Sequence, residues 1–318
     1  MLYAQRSRRI RTYAHVLACL LIICQVQATW ANEVYALLYP QIDEPTRSIF
    51  DEARRTIRQR VAEQRNQLVE RSLPPNSDSR AAAQVWLAAS KPGVVLALGR
   101  TALDAVSGLE KTYSIVVGLA DIAMQEQPDV SAVTLLPEPR DFFTTIQTLS
   151  PRTQRIFVVF DPARHSWLIE IATRQALELS LTLMPLSTTD IRGASVHFTN
   201  IFRYSNPSTD FLWIIDSQFV TDDATLPMLV KESWLSRFPV CSTAAQHLTR
   251  GVLCTTYAPP ASVGDWMMRL GEERLLGHPP RIVMPKKISR GVNVRVSSHL
   301  GLSVGPSQRR FFELIVGE

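Results

Sequence analysis

Short runs rich in β-branched and aromatic residues recur along the chain, at 34–38, 94–98, 113–117, 130–135, 156–160, 181–184, 211–215, 252–256 and 282–284. Most are apolar at nearly every position rather than at alternate ones, the pattern of strands covered on both faces. Such strands need helices above and below them. The intervening stretches 46–70, 81–89, 101–107, 140–149, 167–179, 225–237 and 263–276 read as those helices. In 46–70, Ile49, Phe50, Ala53, Ile57, Val61 and Leu68 form one apolar stripe, and arginines, glutamates and glutamines fill the solvated faces. Regular alternation of strand and helix predicts an α/β class with parallel sheets and right-handed crossovers, and disfavours all-α and all-β folds. Turn-rich connections fall at 73–79, 136–139 and 205–210, and 308–317 reads as either a final strand or a loosely held tail.

The first 31 residues read differently. Four arginines (Arg6, Arg8, Arg9, Arg11) without an acid precede a wholly apolar stretch at 16–24, and small residues then stand at Thr29 and Ala31. This is the order of a cleaved secretory signal peptide, with the cut expected before Asn32. Gln25 and Gln27 interrupt the apolar stretch, so it is short for a spanning helix and no stable membrane insertion is expected after cleavage. The chain holds 34 basic and 29 acidic residues, and four of the basics lie in the leader. The rest is therefore balanced to within one charge, which offers no electrostatic case for nucleic acid. Cys19 and Cys24 belong to the leader, leaving Cys241 and Cys254 for an oxidising compartment. They are either a disulfide or two buried thiols on neighbouring strands.

No glycine-rich phosphate loop, nucleophile elbow or paired-histidine zinc motif is present, and the histidines beyond the leader stand singly. The expectation is no catalytic residue, no metal and no cofactor. In open parallel sheets ligands bind at the carboxyl ends of strands. There the sequence places Gly99, Arg100 and Thr101, where a helix N-terminus and a guanidinium could take a carboxylate. An ordinary strand-to-helix turn with a solvent-facing arginine fits the same residues. Asp121 and Asp216 follow strand ends and could hold an ammonium group, or cap a local amide instead. Tyr39, Ser242, Thr243 and Tyr257 stand at further strand ends, as walls and hydroxyls for a small ligand.

Several segments, in order and spacing, resemble the periplasmic substrate-binding proteins of ABC transporters, in the group that includes aromatic amino-acid binders. They are Leu96-Ala-Leu-Gly-Arg-Thr-Ala102, Val116-Val-Gly-Leu-Ala-Asp121, Arg155-Ile-Phe-Val-Val-Phe-Asp-Pro162, Phe211-Leu-Trp-Ile-Ile-Asp216, Phe238-Pro-Val-Cys-Ser-Thr243 and Arg250-Gly-Val-Leu-Cys-Thr-Thr-Tyr257. The resemblance covers nearly everything beyond the leader. It departs at Ile122, where many relatives have proline, and at the two cysteines. It implies a type I periplasmic-binding-protein fold of two Rossmann-like lobes joined by three hinge crossings. Lobe 1 would span 32–133 plus about 258–281 and lobe 2 134–257 plus about 282–305, with a tail at 306–318. It also places Asp216 and the Ser242-Thr243 loop near the cleft. The function implied is extracytoplasmic capture of a small molecule, an amino acid or aromatic metabolite, for an ABC permease. The alternative partner is a membrane sensor kinase.

Overall fold

The computed structural model describes residues 33–44, 46–74, 79–120, 122, 129–215, 219–221 and 223–318, so the leader lies outside the described residues. In chain order the strands begin with β1 (Val34–Pro40), β2 (Gln67–Leu73), β3 (Val94–Leu98), β4 (Ser114–Gly118), β5 (Ser131–Val133), β6 (Arg155–Phe160) and β7 (Thr182–Ser187). They continue with β8 (Asp210–Ile214), β9 (Val240–Ser242), β10 (Cys254–Tyr257), β11 (Ile282–Val283), β12 (Ser289–Asn293) and β13 (Leu314–Val316). The main helices are α1 (Thr46–Glu63), α2 (Ser79–Ser90), α3 (Gly99–Val106), α4 (Pro139–Leu149) and α5 (Pro162–Glu178). After them come α6 (Ile191–Tyr204), α7 (Thr225–Ser236), α8 (Pro260–Leu275) and the short α9 (Val294–His299) and α10 (Pro306–Arg309).

The strands form two sheets, ordered β11-β5-β4-β3-β1-β2 and β13-β12-β10-β9-β8-β6-β7. Every pairing in the first is parallel. The second is parallel too, except that β12 runs antiparallel to β10. Each sheet is covered on both faces, as the apolar runs require. In the first, α1 and α8 bury Ile57, Val61 and Met267 against Tyr35, Leu37 and Leu96, while α2 and α3 bury Leu87 and Leu103 against Leu38 and Val95. In the second, α4 and α5 cover one face and α6 and α7 the other. Trp213 of β8 stacks on Phe142 with ring centroids 4.9 Å apart and meets Phe143 edge-on at 5.5 Å. Each sheet therefore carries its own core.

The chain passes between the sheets three times, at 134–138 after β5, at 258–259 after β10 and at 284–288 between β11 and β12. The third passage falls later than the sequence suggested, because Ile282 and Val283 pair with Ala132 and Val133 of the first sheet. The end of the chain forms α10 and β13, and β13 extends the second sheet beside β12.

Other expectations are also corrected. The helix expected over 46–70 stops at Glu63; Arg65 turns the chain in the left-handed region (φ 59°) and Gln67 opens β2. As an edge strand with polar positions on its open side, β2 carries no apolar run to announce it. α6 was not anticipated either, although Asp190 caps it by accepting from the Gly193 N–H at 2.7 Å. α3 begins at Gly99, not at 101, and Thr101 lies inside its first turn rather than capping it.

Gly99 joins β3 to α3 at φ +80°, and a Cβ built there would stand 2.7 Å from Cε1 of Phe50. Both backbone and packing therefore demand glycine. Gly99→Ala is expected to cost about 2 kcal/mol or more, from left-handed strain plus overpacking. Urea unfolding would show it as a lower midpoint at unchanged slope.

Candidate ligand-binding cleft

Between the carboxyl edges of the two sheets lies a cavity of about 680 Å³, within the range of small-molecule sites. From the first sheet's side come Ile49 and Glu52 of α1, Leu119 after β4, and Ala258 and Pro260 at the second passage. Leu135 and Leu136 of the first passage close one edge. The second sheet supplies Ile214 and Ile215 at the end of β8, the 243–247 segment after β9, and Tyr257 at the end of β10. Most of these side chains are apolar. Leu119 is held at φ +52°, a conformation that costs a bulky residue roughly 1–2 kcal/mol.

The loop after β9 is built from within. Ser242 is wholly buried; its Oγ accepts the Ala244 N–H at 3.1 Å and lies 2.8 Å from His247 Nδ1. Thr243 donates its N–H to the Ile214 carbonyl at 3.2 Å, tying the loop to the end of β8. At the loop's base Cys241 and Cys254 face each other in the parallel register of β9 and β10, with Cα atoms 4.7 Å apart, and form a disulfide. Both cysteines are fully buried. The cleft wall is thus closed covalently where it leaves the sheet.

On the opposite wall Glu52 accepts the Ala261 N–H at 3.4 Å, at the N-terminus of α8, where a negative charge is favoured by the helix dipole. Burial raises the pKa of Tyr257, opposed by hydrogen bonding from Ser289, and the charges of Glu313 and Glu52 raise it further.

Of the residues expected from the sequence, Ser242, Thr243 and Tyr257 border the cavity. Four others are not among its walls. Arg54, held by Asp51 at 2.7 Å and Glu70 at 3.0 Å, lays its guanidinium 3.6 Å from the centroid of the Tyr39 ring. Phe50 fills the space over Gly99. Arg100 is exposed and pairs with Asp104 one turn along its own helix, at 2.9 Å. Thr101 takes no part either. The 99–101 turn thus stands apart from this cavity, with its arginine engaged on its own helix. Asp121 and Asp216 lie outside the described residues. Sequence reasoning missed Ile49 and Glu52. A faint signal was present: Glu52 is a carboxylate one turn after Ile49, at the margin of the apolar stripe of α1.

Among the described residues no group of His, Cys, Asp and Glu side chains is arranged to hold a metal, and no helix is long and apolar enough to cross a membrane. No protein-family model matches the chain, and no curated protein does. Solved structures do match. The ligand-free, open form of a substrate-binding protein with adhesive properties from Clostridium difficile has a TM-score of 0.65 at 12% identity, covering 89% of this chain and 98% of that one. An ABC domain in complex with L-Trp from Streptococcus pneumonia scores 0.60 at 13% identity, over 90% of this chain and 100% of that one. A periplasmic ribose ABC transporter from Conexibacter woesei scores 0.56 at 11% identity, over 88% and 98%. The chain has the type I periplasmic-binding-protein fold.

Replacing Cys241 and Cys254 together by serine is expected to lower stability by about 2–4 kcal/mol, since the bond cross-links residues 13 apart in sequence and so removes loop entropy from the unfolded chain. Thermal melts of the double variant and the parent would measure it; equal melting temperatures would mean the bond contributes nothing to the wall.

Proposed function

We propose that this protein is an extracytoplasmic solute-binding protein, exported on a cleaved leader, which captures a small organic molecule between two lobes and hands it to an ABC permease. The observation that carries this reading is the ligand-sized cavity bordered by both sheets, beside the passages that join them. Each sheet has its own helices and its own core, so lobes of 33–133 with 260–283 and of 139–257 with 289–318 can each keep their shape. The three short passages between them then act as the hinge, and closing it buries the ligand. The fold, shared with solute-binding proteins, supports the same reading.

Binding rather than turnover is supported by the state of the cleft serine. Ser242 is buried, and its hydroxyl is engaged by Ala244 and His247 in shaping the loop. A ligand-reporting module docked on a membrane sensor would use the same cleft and the same closure. The partner recovered by cross-linking at the rims of the two lobes distinguishes the roles.

Protein purified without denaturation from its own cells is expected to carry a low-mass compound, released on unfolding and identifiable by mass spectrometry. Adding that compound back to the refolded protein is expected to raise the melting temperature and to lower the radius of gyration in small-angle X-ray scattering. A protein with no bound compound, and no shift from a broad metabolite screen, would overturn the reading.

A further inference from the structure

The polar groups around the cavity are unequally spent. Three of the backbone donors around it are already used: Ala244 N–H goes to Ser242 Oγ, Thr243 N–H to the Ile214 carbonyl, and Ala261 N–H to Glu52. The N-terminus of α7 is closed in the same way, with Thr225 N–H 3.4 Å from Thr221 Oγ1, and Thr221 lies on the cavity wall. No lysine or arginine is among the walls. Nor does the sequence hold any in the stretches after residue 33 that lie outside the described residues. Glu52 is the one charged side chain on the described walls.

Among the described walls a ligand carboxylate would lose its hydration, meet no lysine or arginine, and face a carboxylate of like charge. That arrangement is unfavourable by several kcal/mol. An ammonium group meets the opposite case. It brings donors to an acceptor, and it brings positive charge to the end of the cavity where Glu52 and Glu313 already push the Tyr257 hydroxyl toward its neutral form. The apolar walls, Ile49, Leu119, Ile214 and Ile215 among them, suit a hydrocarbon or aromatic body of modest size.

Resting on the solute-binding reading, we infer that the ligand is an organic amine with an apolar body and no free carboxylate, and that Glu52 is its counter-charge. Specificity then resides in α1 of the first lobe, a helix that a search of strand ends alone would pass over.

A matched series tests this: 2-phenylethylamine, 2-phenylethanol, phenylalanine and 3-phenylpropionate share one ring and differ in charge. Titration calorimetry at millimolar ligand is expected to rank the amine above the alcohol, with phenylalanine and the acid undetected. In Glu52→Gln, which keeps an oxygen for the Ala261 N–H, amine binding is expected to fall about tenfold, equivalent to ~1.4 kcal/mol. Alcohol binding and melting temperature should hold. Phenylalanine or the acid binding as tightly as the amine would overturn the charge assignment and leave cleft binding standing. So would a Glu52→Gln protein that binds the amine unchanged. Silence from all four, with a different compound released from the native protein, would overturn the ligand class but not the solute-binding reading.

Discussion

The structure depends on strands that are dry on both faces. β3 and β8 are buried along their whole lengths, and a parallel strand buried on both sides needs a helix after it to return the chain and cover it. That requirement sets the order strand, helix, strand through each sheet and puts the turns that follow the strands along one edge. Ligand chemistry gathers there for the same reason, since loops and helix starts converge where strands end. The cavity between the sheets is thus a consequence of how the cores are built. Gly99 shows how tight the construction is: the turn leaving β3 has room for Phe50 only because no Cβ stands there.

Much of this was legible in the residues. Val94–Leu98 and the run 211–215 declare central strands by unbroken apolarity, and most of the helices between strands show in their stripes. What escaped were elements whose burial is one-sided or brief. β2 sits at an edge and reads as a charged continuation of α1. β11 has two residues, and which sheet it joins depends on a pairing with β5 that nothing local encodes. The disulfide was open for a related reason. Two apolar cysteines thirteen residues apart fit either chemistry until the register of β9 and β10 sets them opposite each other.

The site was half legible. Strand ends led to Ser242, Thr243 and Tyr257, which border the cavity. The same rule also nominated Tyr39 and the 99–101 turn, which are not among the cavity walls and are engaged by the protein itself. Arg54 covers the Tyr39 ring, and Phe50 occupies the space over Gly99. Both come from α1, the helix that also sends Ile49 and Glu52 to the cavity. A rule about strand ends sees only the loops that a sheet presents, and cannot see a helix from the same lobe leaning across them.

That distinction bears on how such a cleft discriminates. Cavities that hold anions keep helix N-termini and guanidinium groups unspent. In this one three donors are consumed locally: by Ser242 within its loop, by Thr221 at the start of α7, and by Glu52 at the start of α8. Each of those bonds lowers the cost of an ordered empty wall, because a buried donor left without an acceptor is expensive. Each also removes a group that a carboxylate would need. The disulfide works in the same direction by fixing the base of the second-lobe wall. Preorganisation and selectivity are therefore produced by the same bonds. If the ligand is an organic amine, such a wall offers it an acceptor and apolar surface.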